Sequence, residues 1–143
     1  MKKLMLMLLV LFSLSCKKSQ KEDPITKLKW VLETAIVSPA LNIRGELVSD
    51  YKKLEGNDGC LSNNFTLTFL PNGTYRQSST GSLCDMVEND ENQKWRRSGE
   101  QIILGHSPNT ENICTINGNK LTYTLVNSPG IFYSKVVYTF KAQ

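Results

Sequence analysis

The chain has 143 residues, a formal net charge of +4, four cysteines and a single histidine. That length fits one domain. The small charge, to which Lys2 and Lys3 contribute, gives no electrostatic reason to expect nucleic-acid binding. One histidine and no Cys-x-x-Cys spacing leave the usual ligand sets of zinc and redox sites unfilled.

The first sixteen residues have the pattern of a secretory signal. Two lysines precede the apolar run Leu4–Leu14, and small Ser15 stands directly before Cys16. The run is shorter than the roughly 18 to 20 residues that span a bilayer, and its flanks are typical of a cleaved leader. A cysteine at the break is similar to the lipid-attachment site of bacterial lipoproteins. We predict that residues 1–15 are removed and Cys16 carries the lipid; alternatively, the leader is cut elsewhere and Cys16 is unmodified.

Residues 16–27 are predicted to form the lipidated cysteine and a flexible linker. The stretch from Lys17 to Pro24 has no apolar side chain and closes with a proline, as solvated spacers do. Fully extended, about ten residues reach about 35 Å at most. The folded domain then covers residues 28–143.

Beyond the linker, strand patterns alternate with turn patterns, and no stretch keeps helical periodicity over three turns. A first strand is predicted around Trp30, over Leu28–Val37, and Pro39 ends it. Residues 40–58 are predicted to be irregular, with one possible helical turn over residues 47–54.

The clearest hairpin surrounds Pro71-Asn72-Gly73. Before this turn, phenylalanine and leucine alternate with threonine, the pattern of a half-buried strand, and the three turn residues suit a short loop. A turn that pairs Leu70 with Thr74 sets a register in which Cys60 lies opposite Cys84.

Two further hairpins and a last strand complete the pattern. One hairpin joins Lys94–Arg97 to Gln101–Leu104, the other joins Ile113–Ile116 to Lys120–Val126, and the last strand covers Phe132–Phe140. Eight strands linked as successive hairpins have the size that closes into a small antiparallel up-and-down barrel. A β-sandwich is the alternative all-β architecture.

In order and spacing, these segments resemble the lipocalin-like domain of Bacteroidetes lipoproteins. The resemblance covers about residues 28 to 142 and implies a lipocalin-like barrel, a lipid anchor and a location in the cell envelope, at the outer membrane. That family has no established reaction to carry over. The segments that carry the resemblance are Lys29–Leu32, Leu67–Tyr75, Lys94–Leu104, Asn117–Tyr123 and Tyr138–Lys141.

The hairpin register and the resemblance both pair Cys60 with Cys84 in a disulfide, as an oxidising compartment allows. Cys114 then remains as a free thiol, which we expect to be buried in a strand. The alternative is a metal or redox site, for which the sequence offers neither histidine partners nor close cysteine spacing.

No catalytic site, metal site or cofactor is predicted. His106 follows the predicted strand Gln101–Leu104 and is interpreted as a solvated loop residue. The acidic stretch Asp85–Asn92 lacks the ligand spacing of an EF-hand and is interpreted as a solvated loop. An enzyme would need His106 beside a carboxylate and a hydroxyl in one cleft.

The inward face of the predicted barrel is rich in aromatic residues, which a packed core would explain. Two polar residues, Gln77 and Ser79, fall on the same face by the hairpin register, and polar groups are costly in a dry core. Small-molecule sites are built as apolar pockets with a few polar groups. We therefore assign a candidate ligand site to Trp30, Phe69, Tyr75 and Gln77.

The sequence favours a lipid-anchored, non-enzymatic binding module that holds a small apolar or amphipathic molecule in its barrel. The alternative is a structural or interaction module with a filled barrel, whose loops contact an envelope protein or an extracellular polymer. The expected partners are the membrane, through Cys16, and either that ligand or that protein.

Overall fold

The computed structural model describes residues 22–54, 56, 58–81, 93–107, 110–127 and 133–143. Within these described ranges, two short 3₁₀ turns, Pro24–Lys27 and Tyr51–Lys53, accompany nine β-strands. The strands are β1 (Lys29–Ile43), β2 (Glu46–Asp50), β3 (Thr66–Phe69), β4 (Tyr75–Ser78), β5 (Lys94–Ser98), β6 (Gln101–Ser107), β7 (Thr110–Asn117), β8 (Lys120–Val126) and β9 (Lys135–Ala142).

The strands form one antiparallel meander that curls into a nearly closed barrel. Around the ring the order is β1, β3, β4, β5, β6, β7, β8 and β9. The last strand pairs with the first along Trp30–Ser38, and β4 meets β5 at the Thr74–Lys94 bridge. The predicted all-β, eight-stranded up-and-down barrel is confirmed, and β2 is a ninth strand that pairs with β1 beside the ring.

The β3–β4 hairpin has the predicted register. Phe69 pairs with Tyr75, and Leu67 pairs with Gln77. Gly73 has a φ of 81°, a left-handed conformation that glycine adopts at little steric cost. The turn therefore contains its glycine at the position where the backbone requires one.

The chain after Val37 departs from the prediction. β1 does not end at Pro39 but continues to Ile43, and residues 46–50 form β2 instead of irregular chain. Within the predicted helical turn, Tyr51–Lys53 form a 3₁₀ turn. The β1–β2 register shifts between Ile36 and Leu41, and an irregular ladder accommodates a proline, which has no N–H to donate.

β6 and β9 both extend past their predicted ends, and β9 begins at Lys135, later than the predicted Phe132. β6 continues through His106 to Ser107, so the backbone of His106 belongs to a strand and not to a loop. Its added residues have partners in β7, because Gly105 pairs with Glu111 and Ser107 with Thr110. β9 likewise runs on to Ala142, which pairs with Trp30.

One end of the barrel, which we call the tether end, holds the β3–β4, β5–β6 and β7–β8 turns with the start of β1 and the end of β9. The Pro24–Lys27 turn packs there. Asp23 Oδ1 caps it by accepting from the N–H of Ile25 at 3.0 Å, and Ile25 is buried in the core. Residues 24–27, assigned to the linker from sequence, are therefore packed against the barrel. The opposite end, with the β1–β2 turn, is the loop end.

The hydrophobic core lies inside the barrel. In β8, Leu121 and Tyr123 are buried, whereas Lys120 and Thr124 are exposed, the alternation of a strand with one face inward. The other buried apolar side chains include Trp30, Leu32, Phe65, Leu67, Phe69, Tyr75, Ile102, Leu104, Cys114, Val136 and Phe140.

Candidate functional site

The inner face of the barrel is the candidate site, and it contains the four residues assigned from sequence. Trp30 of β1 pairs with Leu67 of β3, which in turn pairs with Gln77 of β4. Phe69 and Tyr75 form the next inward pair. Trp30, Phe69 and Tyr75 are buried, and Gln77 is half-buried. The structure therefore brings all four together on three adjacent strands.

Trp30 has an unusual feature for a residue of this inner face. Its side chain is 1% exposed, yet its Nε1 has no hydrogen-bond partner in the described part of the chain. Buried polar groups in proteins are nearly always bonded, because an unmade hydrogen bond costs about 1–3 kcal/mol. The indole N–H is therefore a donor inside the barrel that an acceptor could use.

Trp95 of β5 shows the contrasting arrangement. Its Nε1 donates to the carbonyl oxygen of Leu70 at 2.9 Å, and its ring packs edge-on to Phe69 with centroids 5.4 Å apart. Buried indoles usually find such a partner. The N–H of Trp95 is therefore hydrogen-bonded to the residue that follows β3. The N–H of Trp30 has no hydrogen-bond partner among the described residues.

Among the described residues, three titratable side chains face the interior, and one of them is Tyr75 of the candidate site. Burial raises the pKa of Cys114, on β7, to about 12. Burial, with a smaller effect of the Cys114 thiol, also raises the pKa of Tyr75. The pKa of Tyr123 is raised by burial first and then by Tyr138, Cys114 and Tyr75. All three groups are protonated at neutral pH, so they present hydroxyl and thiol groups without charge.

Tyr123 also belongs to an aromatic stack. Its ring stacks on Tyr138 with centroids 5.0 Å apart and on Phe140 at 5.9 Å, and Phe65 lies 6.2 Å from Phe140. The predicted aromatic inner face is confirmed for these residues. Such a wall suits an apolar or ring-containing molecule.

Ser79 lies near the candidate site, but its hydroxyl is hydrogen-bonded to backbone groups. Its Oγ lies 2.7 Å from the carbonyl oxygen of Cys60 and 2.6 Å from that of Asn63. The same oxygen accepts from the N–H of Gly81 at 3.0 Å. Ser79 therefore fastens the chain after β4 to residues 60–63 and does not serve as a polar group of the interior.

No metal centre forms among the residues that the structure describes, because no group of three or more His, Cys, Asp or Glu side chains lies together there. Cys114, with a pKa of about 12, is a thiol and not a thiolate nucleophile. The acidic stretch Asp85–Asn92 and Cys84 lie outside the described residues. The solvated-loop interpretation and the Cys60–Cys84 disulfide therefore stay predictions.

Sequence reasoning missed how the tether end is closed. Nη2 of Arg97, on β5, donates to Oδ1 of Asp23 at 2.8 Å, across 74 positions of sequence, and no local pattern signals such a contact. Ile25 covers the same end. The one available signal was an apolar residue directly after Pro24 in an otherwise polar stretch.

Comparisons with known proteins supply no relative from which to transfer a function. No family model, curated protein or solved structure matches the chain. In the described ranges, no helix is long and apolar enough to cross a membrane. The functional assignment therefore depends on the barrel and its interior.

Proposed function

We propose that this chain is a lipid-anchored envelope protein whose barrel binds one small amphipathic molecule and performs no covalent chemistry. The observation that carries the proposal is the unbonded Nε1 of Trp30 within a wall of buried aromatic residues. A ligand with an apolar body and a carbonyl or hydroxyl oxygen would accept this hydrogen bond. Its body would contact Phe69 and Tyr75, which continue the same wall.

The proposed entrance is the loop end of the barrel. The tether end is covered, because the Pro24–Lys27 turn packs there and buries Ile25. An eight-stranded barrel holds either side chains alone or one small ligand. The Trp30 N–H favours the ligand, since a core filled only by the described side chains leaves this donor unsatisfied.

The proposed anchor is a lipid on Cys16, and the proposed location is the outer membrane. Both rest on the basic, apolar and small-residue pattern of the first sixteen residues and on the resemblance to lipocalin-like lipoproteins of Bacteroidetes. Two or more acyl chains hold a protein stably to a bilayer. In a high-salt wash, which screens attraction between surface charges and headgroups, a Cys16→Ser variant should leave the membrane fraction, whereas Cys114→Ser should stay in it. Retention of the Cys16→Ser variant would refute the anchor.

Native mass spectrometry tests the ligand proposal. The chain from residue 16 onward is purified from a periplasmic host, and any bound compound is extracted into organic solvent and identified. Trp30→Phe removes the unbonded N–H and keeps an aromatic ring, so it should lose most of the bound mass. Trp95→Phe is the matched control, because its N–H already bonds Leu70, and it should keep the ligand.

A fluorescent fatty acid, cis-parinaric acid, provides a second measurement in case the host lacks the natural ligand. The wild-type chain should bind it with a rise in probe fluorescence, and Trp30→Phe should bind it more weakly. A wild-type chain that carries no bound mass and does not bind the probe would contradict the proposal. Equal binding by wild type and Trp30→Phe would contradict it as well.

The second candidate is a protein-binding module that acts through the β1–β2 hairpin. This hairpin exposes large apolar side chains at the loop end, since Leu47 is 75% exposed and Ile43 is 44% exposed. Exposed apolar surface of this kind often marks an interaction site. A photo-crosslinking residue at Leu47 should capture an envelope protein that the same probe at Glu100, in the β5–β6 turn, does not. Identical products at both positions would exclude this role.

A further inference from the structure

Strand pairing collects cations on the outer surface of the tether end. Lys120 of β8 lies directly opposite Lys141 of β9. Lys29 of β1 pairs with Thr68, which pairs with Arg76 of β4. The side chains of these lysines and of Arg76 are exposed, as is that of Lys27. We call this surface the basic face: Lys27, Lys29, Arg76, Lys120 and Lys141.

The basic face keeps a surplus of positive charge. Glu33 of β1 accepts a hydrogen bond from Lys120 Nζ at 2.8 Å. Its pKa is lowered first by that bond and by the Lys120 charge, and then by Lys141 and Lys52. Two of these lysines, Lys120 and Lys141, belong to the basic face, so the single charge of Glu33 does not balance both. Like charges directly opposite each other in a sheet repel, so the Lys120–Lys141 pair would gain from a nearby anion.

The chain leaves the barrel at the same end. Asp23 is held by Arg97 and Ile25 is buried, so the path toward Cys16 starts at the tether end. Only five residues separate Glu22 from Cys16, so an extended chain places Cys16 at most about 22 Å from Glu22. A lipid on Cys16 would therefore hold the tether end close to the bilayer, within reach of its headgroups.

We propose that the basic face binds the anionic phospholipid surface of the membrane that anchors the chain, with the tether end toward the bilayer and the loop end away from it. The orientation rests on the proposed lipid anchor; the affinity of the face for anionic lipid does not. Lysines near an anionic bilayer attract its headgroups, and the attraction weakens as salt screens it.

The test uses the chain from residue 16 onward with Cys16→Ser, so that binding cannot come from an acyl chain. Every core side chain of the described barrel lies after Asp23, so this change leaves the fold intact. Co-sedimentation is measured with vesicles of phosphatidylcholine, with and without phosphatidylglycerol. We expect binding only to the vesicles with phosphatidylglycerol, and we expect added salt to weaken it.

Charge reversal locates the binding surface. Lys29→Glu/Lys141→Glu should reduce binding at least about tenfold, because each lysine near an anionic surface contributes several-fold to the affinity. Arg44→Glu/Lys135→Glu makes the same change in net charge at two exposed positions near the loop end and should change binding by less than about threefold. Lys29→Gln/Lys141→Gln removes the two positive charges without placing a new carboxylate near Glu33, and it should also weaken binding.

Several results would overturn the proposal. They are no binding of the parent chain to phosphatidylglycerol vesicles, equal binding to pure phosphatidylcholine, or equal loss in both charge-reversed variants. Binding to soluble polyphosphate but not to vesicles would assign the face to another polyanion and overturn it too. Because the acyl chain is absent, failure of Cys16 lipidation leaves this result unchanged, so the two failures are distinguishable.

Discussion

Asp23, ahead of the first strand, and Arg97, on β5, are joined by two hydrogen bonds, of which the Nη2–Oδ1 bond measures 2.8 Å. Asp23 also caps the Pro24–Lys27 turn through the N–H of Ile25. One carboxylate therefore fixes the turn and ties it to the barrel. The chain just before β1 is therefore held at a defined point of the tether end, and the proposed anchor at Cys16 lies upstream of it.

Asp23→Asn should remove the ion pair and keep a capping oxygen. We expect a loss of about 0.5–1 kcal/mol in the free energy of unfolding, because both side chains are partly exposed. The bond to Arg97 lowers the pKa of Asp23 from its ordinary value of 3.8. In the wild type this contribution is present above that value and is lost as the pH falls through the lowered pKa.

Urea unfolding at neutral and acid pH checks this expectation. The difference in stability between wild type and Asp23→Asn should shrink as Asp23 becomes protonated. Glu111→Gln is the control, because Glu111 and its partner Arg96 are 55% and 58% exposed and should contribute less. A difference between wild type and Asp23→Asn that stays constant into acid would contradict the assigned pairing.

Gly81→Ala should destabilise the barrel by about 1–3 kcal/mol, the range for overpacked sites. A Cβ at this position would lie 2.4 Å from the carbonyl oxygen of Gly59, so the two chain segments would have to separate. Thermal unfolding measures the effect. Gly105→Ala is the matched control, since its Cβ would approach the Lys94 carbonyl only to 3.8 Å, and its melting temperature should hold or rise. Equal effects in both variants would disprove the close approach.

The predicted Cys60–Cys84 disulfide should form in the oxidised chain. Ser79 Oγ donates to the carbonyl oxygen of Cys60 at 2.7 Å, so a residue only five positions before Cys84 lies beside the proposed partner Cys60. Closing a loop of about 25 residues should contribute roughly 3–4 kcal/mol. Alkylation followed by mass spectrometry should leave both cysteines unmodified until a reductant is added. Modification of Cys60 without reductant would rule the bond out.

Cys114 should resist thiol reagents in the folded state. Burial raises its pKa to about 12, and the thiolate is the reactive form. At about pH 8 the native chain should label at Cys114 at a negligible rate, and urea should make labelling complete. Rapid native labelling of Cys114 would show that the interior is open to the reagent at this strand.

The parts of the fold that could be predicted from sequence are those with local signals. Pro71-Asn72-Gly73 and the alternation before it define a hairpin and its register without reference to the rest of the chain. The same alternation places Trp30, Phe69, Tyr75 and Gln77 on one face. β2 could not be predicted, because Pro39 ordinarily ends a regular strand and the irregular β1–β2 ladder that admits it depends on tertiary pairing.

The hydrogen-bond partners of the site residues could not be predicted from sequence for a related reason. Whether Trp30 Nε1 has a partner depends on side chains contributed by other strands. The same holds for Ser79, whose hydroxyl is taken up by residues 60–63. The basic face is also a product of pairing, since Lys29, Lys120 and Lys141 are distant in sequence and adjacent in the sheet.

The backbones of Lys29 and Gln143 exchange hydrogen bonds of 3.2 and 2.9 Å, so the barrel begins and ends at one place. A reporter fused after Gln143 would lie at the tether end, where the proposed anchor would place it between the barrel and the membrane. An epitope inserted between Arg44 and Gly45, in the β1–β2 turn, would lie at the opposite end of the barrel, which the proposed anchor would leave accessible to an antibody. The position of the label, and not only its presence, will decide what an immunostaining experiment on this protein detects.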